Sequence, residues 1–359
     1  MLLVSLGATG GLRDADAQLR GSLARAGARV KMATVDPPAE VRTLALTDLT
    51  WARAARAAAR AALAEDRPRA ILYSSVTAAL LWPAYGAVRF DAPAAGNRPG
   101  RHGAWQRPLE RRRVREATVL APWSQGALAE TPRPRARAVV VPVPVAEGRP
   151  APLARRDVAA VTYATNPHKK GLDRVAAAWG RARRGDERLL VLGLSAGHPA
   201  ARAAAEACAA ATRERSAGPT AAGGGSSTGE ALAFVPFLPH AEYRALLRRS
   251  RVFVTAPRRE DYGLAQLDAL AEGCALVTTA APGPHAALPI ARALDERLVA
   301  ADPGSGARSA EGLAEALRTA LDEPAADLAQ RATPLLAPYL PEAVDRVVAE
   351  ELLPALLDR

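Results

Sequence analysis

The chain has 359 residues, 49% of them hydrophobic, which allows two ordinary domains with sizeable cores and excludes a globally disordered protein. Its formal net charge is +11, and with lysine only at 31, 169 and 170, arginine supplies 48 − 3 = 45 of the 48 basic residues. That balance fits either an anionic partner or an arginine bias of the whole composition, and at 4% aromatic the chain offers no stacking platform for single-stranded nucleic acid. There are only two cysteines, Cys208 in an Ala-rich helical stretch and Cys274 by a strand, which does not suit a disulfide framework or a zinc site and fits a reducing cytosol. The opening MLLVSLGATG has no basic start and too short an apolar run for a signal peptide, and no later window suits a membrane span.

In chain order, LLVSL (2–6) is a short apolar strand. The loop GATGGLR (7–13) follows it, and DADAQLRGSLARAG (14–27) has helical spacing with Leu19, Leu23 and Ala26 on one face and Gly27 as its stop. ARVKMATV (28–35) is the next strand, and WARAARAAARAALAED (51–66) is an Ala-rich helix. RAILYSSV (69–76), VRF (88–90), TVLAPW (118–123) and AVVVPV (138–143) read as further strands. The proline-rich PVPVAEGRPAPL (142–153) is the best candidate linker.

A second series then begins with strand 157–164, helix 172–183 and strand 188–194. AAGGGSSTGE (221–230) reads as a flexible loop. Strands follow at 233–238, 251–256, 275–279 and 297–301, and the amphipathic tail 341–357 is helical. Strands that alternate with helices imply βαβ units and parallel sheets, whose ligands bind beyond the carboxyl ends of the strands.

Three stretches carry candidate chemistry. GATGGLR sits where a phosphate-cradling loop would, but Arg13 stands where a dinucleotide fingerprint needs its third glycine. With Asp36 at the end of the second strand, an NAD(P)-dependent reductase is one reading, yet no tyrosine has the lysine four residues on that such chemistry needs. YATNPHKKGLDRV (163–175) places Lys169, Lys170 and Gly171 between a strand and a helix; an ammonium in a tight turn suits a phosphate oxygen, and a solvated turn is the plain alternative. RREDYGLAQLDALAEGCALVTT (258–279) sets Glu260 after a strand, Gly263 at a helix start and Asp268 inside that helix, with Leu264, Leu267 and Leu270–Ala271 toward the core. Carboxylates there can accept hydrogen bonds from sugar or ribose hydroxyls; the plain alternative is surface charge, of which Glu272 would be another instance.

Glu260, YGL and Asp268 resemble the E-x7-E motif of GT-B glycosyltransferases of the retaining family-4 group, with Asp in place of the second Glu. HKKGLDRVAAAW, FLPHAEYRALLRRS, the first strand with its glycines, 110–127 and the tail resemble the other landmarks of that group in order, over nearly the whole chain. The resemblance implies an α/β GT-B protein with two Rossmann-like doubly wound domains facing a cleft, an acceptor-side domain over 1–148, a donor-binding domain over 149–338, and a C-terminal helix, 339–359, returning to the first. It implies glycosyl transfer from a nucleotide-diphosphate sugar to a glycan, lipid or small molecule, with retention at the anomeric carbon, in glycan biosynthesis.

By the same resemblance Glu260, Lys170 and Asp91 are the catalytic residues, and Gly10, Gly11, Asn166, Lys169, Lys170, Glu260, Tyr262, Gly263, Leu264 and Asp268 bind the donor. No metal or cofactor is expected. ATN (164–166) lacks the arginine that the group has there, and Phe90 stands where it often has histidine, so a degenerate nucleotide-sugar-binding protein is the alternative. The basic run RPGRHGAWQRPLERRRVR (98–115) reads as a solvated helix, or as a contact with an acceptor or acidic lipid at the inner face of the membrane. The expected location is the cytoplasm. No nucleic-acid partner is expected, and His198, His240 and His285 carry no constellation of partner residues.

Overall fold

A computed structural model describes residues 1–216, 230–301 and 307–358. The loop expected over 221–230 lies, apart from Glu230, outside the described residues. The chain divides into two compact units, one made of Met1–Pro144 and the tail from Pro338, the other of Val145–Ala337.

The first unit runs β1 (Leu2–Ser5), α1 (Gly10–Arg25), β2 (Lys31–Thr34), α2 (Leu44–Glu65), β3 (Ile71–Tyr73), α3 (Val76–Leu80), β4 (Ala87–Phe90), α4 (Ala94–Asn97), α5 (Gln106–Glu116), β5 (Leu120–Pro122) and α6 (Gln125–Glu130). Its five strands are parallel, in the order β2-β1-β3-β4-β5. On one face, Leu2, Val4, Val88 and Phe90 pack with Ala55 and Ala59 of α2. On the other, Leu3 and Leu72 meet Leu19 and Leu23 of α1.

Two elements depart from the sequence reading here. α1 starts at Gly10 rather than at Asp14, because the Thr9 side chain caps it by accepting the Leu12 N–H. Gly10 and Gly11 are therefore the first residues of a helix and not part of a loop. Residues 138–143 do not form a strand of their own. They run beside β5, with Val139 and Val141 donating to Leu120 and Pro122 (2.9 Å each), but Pro142 and Pro144 have no N–H with which to continue a ladder.

The second unit runs β6 (Val158–Tyr163), α7 (Leu172–Ala182), β7 (Leu189–Leu192), α8 (Pro199–Ser216), β8 (Leu232–Val235), α9 (His240–Arg249), β9 (Ser250–Thr255), α10 (Leu264–Ala271), β10 (Ala275–Thr279), α11 (Ala287–Leu294), β11 (Val299–Ala300), α12 (Ala307–Asp322) and α13 (Leu328–Leu336). Its six parallel strands lie in the order β8-β7-β6-β9-β10-β11, the 3-2-1-4-5-6 arrangement of doubly wound sheets. The core of one face joins Ala160, Leu189, Val252 and Val254 to Val175 and Trp179 of α7 and Leu317 of α12. Strand order reverses between β6 and β9, so this unit's crevice opens beyond their carboxyl ends.

The tail is not one uniform helix. α14 (Pro341–Val347) continues through a π turn, Val348–Leu352, into α15 (Leu353–Leu357). Val344, Val348 and Leu352 complete the α1 face of the first unit, where Arg25 pairs with Asp345 at 2.6 Å.

Candidate functional site

The site is built from the two loops that leave β6 and β9. After β6, the turn Asn166–Gly171 is held by its own backbone and by Asn166, whose side-chain oxygen accepts the Lys169 N–H at 3.0 Å and whose carbonyl accepts the Lys170 N–H at 2.9 Å. Gly171 then adopts φ +64° as the N-cap of α7, and a Cβ there would lie 1.9 Å from the Ala256 carbonyl oxygen at the end of β9. The two loops can approach only because this residue has no side chain. Gly171→Ala is therefore expected to cost at least about 1–3 kcal/mol from the left-handed backbone alone, read as a fall in the denaturation midpoint.

After β9, the Arg258 N–H donates to the Lys169 carbonyl at 3.0 Å and stitches the second loop to the first. Glu260 and Asp268 are each only 4% exposed, so neither is surface charge. Lys170 Nζ lies 2.7 Å from Glu260 Oε2, and the Gln266 side-chain amide donates to the same oxygen at 2.9 Å. Burial alone would raise the Glu260 pKa, but the charge and hydrogen bond of Lys170, with smaller contributions from His285 and Gln266, bring it down to about 2. Glu260 is thus a carboxylate at any physiological pH, able only to accept hydrogen bonds.

The neighbouring lysine has a separate partner. Lys169 meets Asp261 at 2.6 Å, and Arg259 meets the other Asp261 oxygen at 2.9 Å. Arg258 forks onto Asp173 of α7 at 2.7 and 3.0 Å. In place of an arginine at 164–166, the loops therefore gather Lys169, Lys170, Arg258 and Arg259 around three carboxylates.

Gly263 caps α10 with φ +89°, and Tyr262 before it is buried. Within α10, Leu267 and Leu270 are buried, while Leu264 and Ala271 are half-buried because the apolar face is completed by Ala269. Asp268 points toward α9, where Arg244 Nη1 lies at 3.7 Å and His240 Nε2 at 3.4 Å. His240 also lies against Tyr243, whose ring in turn meets Tyr163 at the end of β6, at a centroid distance of 5.9 Å.

Glu272 differs from the expectation of surface charge. It is 1% exposed, takes Arg244 Nε at 2.6 Å and Arg248 at 3.3 Å, and accepts the Arg149 N–H at 3.0 Å. It ties α9 and α10 to the segment around 149, a framework role.

Two histidines that carry no constellation in the sequence lie in the site. His240 sits beside Asp268, and His285, in the loop after β10, lies against Gly263. No spacing rule pairs either with the site: His240, at the start of α9, meets Asp268 28 residues on, and the loop after β10 that carries His285 arrives through the sheet order. His168 contributes its carbonyl, which accepts Arg258 Nη1 at 2.7 Å. Asp91, Gly10 and Gly11 belong to the first unit. The Asp91 carboxylate accepts the following Ala92 N–H at 2.8 Å, and Phe90 is buried in the core. Among the described residues no group of three or more His, Cys, Asp or Glu is arranged to hold a metal ion. No helix among them is long and apolar enough to cross a membrane.

A scan against protein-family profiles finds no match for this chain, and a search of curated proteins finds none either. Solved structures do match. Sucrose-phosphate synthase from Thermosynechococcus elongatus superposes with a TM-score of 0.73 at 16% identity, over 98% of each chain. WaaG, a glycosyltransferase involved in lipopolysaccharide biosynthesis, gives 0.66 at 14% identity over 98% of this chain and all of its own, 100%. The trehalose-6-phosphate protein from E. coli bound with UDP-2-fluoro glucose gives 0.60 at 13% identity, over 87% of this chain and 78% of that one. With two parallel doubly wound sheets and these neighbours, the chain has the α/β fold of GT-B glycosyltransferases.

Proposed function

We propose that this protein transfers a sugar from a nucleotide-diphosphate sugar to an acceptor hydroxyl, with retention of anomeric configuration. The observation that carries the reading is the pair of the half-buried Lys170 with the buried Glu260, at 2.7 Å, where the strand order of the second unit reverses. Lys170 still has ammonium protons to offer a donor phosphate, and the ionised Glu260 accepts from hydroxyls of the donor sugar. Backbone at Gly263 and Leu264 borders the diphosphate, and Asp268 accepts from the ribose. Lys169, Asn166 and Tyr262 shape the same pocket.

The bond from the anomeric carbon to the phosphate oxygen breaks with its electron pair leaving on the diphosphate, while the acceptor oxygen bonds to that carbon on the same face and its proton passes to the departing phosphate oxygen. Positive charge held in place by Lys170 stabilises the leaving group, a preorganised electrostatic contribution. No metal or cofactor is assigned a role. In the first unit a Cβ on Gly11 would meet nothing within 4 Å, so the bare start of α1 suits close approach of an anion. Asp91 is assigned as a polar residue on the acceptor side, and Asp91→Asn is expected to lower turnover more than donor affinity.

Calorimetry with UDP-glucose, GDP-mannose and ADP-glucose tests the reading. Binding of at least one, weakened in Glu260→Ala, is expected; a folded wild-type protein that binds none refutes it. Binding without product over an acceptor panel would instead establish the degenerate binding protein. The anomer of the product, read by proton NMR, tests retention.

The acceptor or an acidic lipid surface is proposed to meet the 98–115 run. Arg98 is spent on Asp48 at 2.6 Å and Arg113 on Glu116 at 2.8 Å, but Arg101, His102, Arg111 and Arg115 are exposed. Trp105 Nε1 donates to the Ala45 carbonyl at 3.1 Å, which brings the run beside the exposed Val41, Leu44 and Leu46. Vesicles with phosphatidylglycerol are expected to sediment the protein and neutral phosphatidylcholine vesicles are not; equal behaviour with both would remove this contact.

A further inference from the structure

Gln266 and His285 are buried polar residues that the assignments above leave with open hydrogen-bonding capacity. His285 is 4% exposed, and neither ring nitrogen has a hydrogen-bond partner among the described residues. The side-chain oxygen of Gln266, a residue 1% exposed, also has none. Buried polar atoms are rarely left in this state unless a ligand or a functional demand accounts for them.

The two groups converge on one small space. A Cβ placed on Gly263 would lie 3.1 Å from His285 Nε2 and 3.3 Å from Gln266 Oε1. A Cβ there would also lie 2.9 Å from His285 Cδ2, so only glycine lets both polar groups close in around this residue. The orientation of Gln266 is fixed by Glu260, because a carboxylate can only accept. The amide must present its NH2 to Glu260, at 2.9 Å, which turns its oxygen toward Gly263. His285 supplies the complementary group. Burial pushes its pKa down to about 4, an effect only partly offset by Glu260, so the ring is neutral near pH 7 and carries one N–H donor and one acceptor nitrogen.

One acceptor beside a neutral imidazole matches a hydroxyl, which both donates and accepts. It matches a phosphate poorly, because Gln266 Oε1 would face an acceptor-only oxygen. We propose that His285 and Gln266 form a hydroxyl-reading subsite over Gly263 that contacts the sugar, and not the diphosphate, of the nucleotide-sugar donor. The assignment rests on the nucleotide-sugar reading of the Lys170–Glu260 site. It makes His285 a specificity residue that chooses among donors by the position of one sugar hydroxyl.

Calorimetry on the full chain tests it, using UDP, GDP and ADP beside UDP-glucose, GDP-mannose and ADP-glucose. In His285→Leu, the preferred sugar nucleotide is expected to bind about tenfold more weakly, while its parent diphosphate binds as in wild type. His285→Gln keeps a donor and an acceptor and is expected to restore most of the loss. Equal weakening of the diphosphate and the sugar nucleotide, or no weakening of either, overturns the subsite while leaving the donor reading intact. Absence of nucleotide binding in folded wild type overturns the donor reading and the subsite together. A His285→Leu protein that fails to fold is replaced by His285→Asn, judged by the same sugar-to-diphosphate ratio.

Discussion

Replacing Lys170 by methionine is expected to destabilise the second unit by about 3–5 kcal/mol, because it leaves the Glu260 carboxylate buried without its ammonium. The pair lies at 2.7 Å with the Glu260 side chain 5% and the Lys170 side chain 20% exposed, so water only partly replaces the lost interaction. Adding Glu260→Gln to that variant removes the stranded charge and is expected to recover most of the stability. Turnover behaves differently. Lys170→Met, Glu260→Gln and the double variant should each lose about 10²–10³ in kcat, since preorganised charge at the leaving group is gone in one case and the sugar contact in the other. Urea titration and product formation, measured side by side, separate the two effects. An unchanged urea midpoint for Lys170→Met, or a double variant as unstable as the single one, would show that the pair is not the buried contact described here.

His285 is expected to remove stability as pH falls from about 6.5 to about 4, against an opposite contribution from Glu110, whose buried carboxyl is pushed up to about 7. Burial depresses the folded His285 pKa to about 4, whereas the unfolded imidazole titrates near its ordinary value of 6.5. In that window the unfolded imidazole holds a proton that the folded one refuses, so its contribution to stability rises with pH across it and falls as pH is lowered. The difference in pKa corresponds to roughly 3 kcal/mol at the acid end. Glu260 adds a second loss at lower pH. Its folded pKa of about 2 lies below the ordinary 4.5, so its contribution is complete above 4.5 and disappears as pH drops toward 2. His285→Gln should remove the His285 loss between 6.5 and 4 and leave the lower limb intact. A His285→Gln profile that parallels the wild type between pH 6.5 and 4 would contradict a buried, unpaired imidazole.

Much of the architecture was legible in the chain because it is written in local patterns. Apolar runs ending in Gly or polar turns marked most strands, and β10 falls on 275–279 as read. The pattern was less informative where side chains decide. The Thr9 cap pulled α1 back to Gly10, and the prolines at 142 and 144 kept 138–143 from becoming a strand. The two acids of the 258–279 stretch were identifiable by spacing and resemblance, but their burial was not, and Glu272 shows why. Its partners Arg244 and Arg248 are 28 and 24 residues away, so the same one-letter pattern fits a solvated charge and a buried pin equally well.

Local patterns in the chain specify a parallel α/β protein, a lysine–glycine turn after one strand and an acid–glycine–acid helix start after another. Those features depend on neighbours within a few residues, where periodicity and turn chemistry operate. The folded unit alone brings Lys170 to Glu260, 90 residues away, and His285 and Gln266 together around Gly263. The physical reason is the strand order. Pairing β6 with β9, and β9 with β10, carries three distant loops to one edge of the sheet, and that adjacency is set by packing the whole unit.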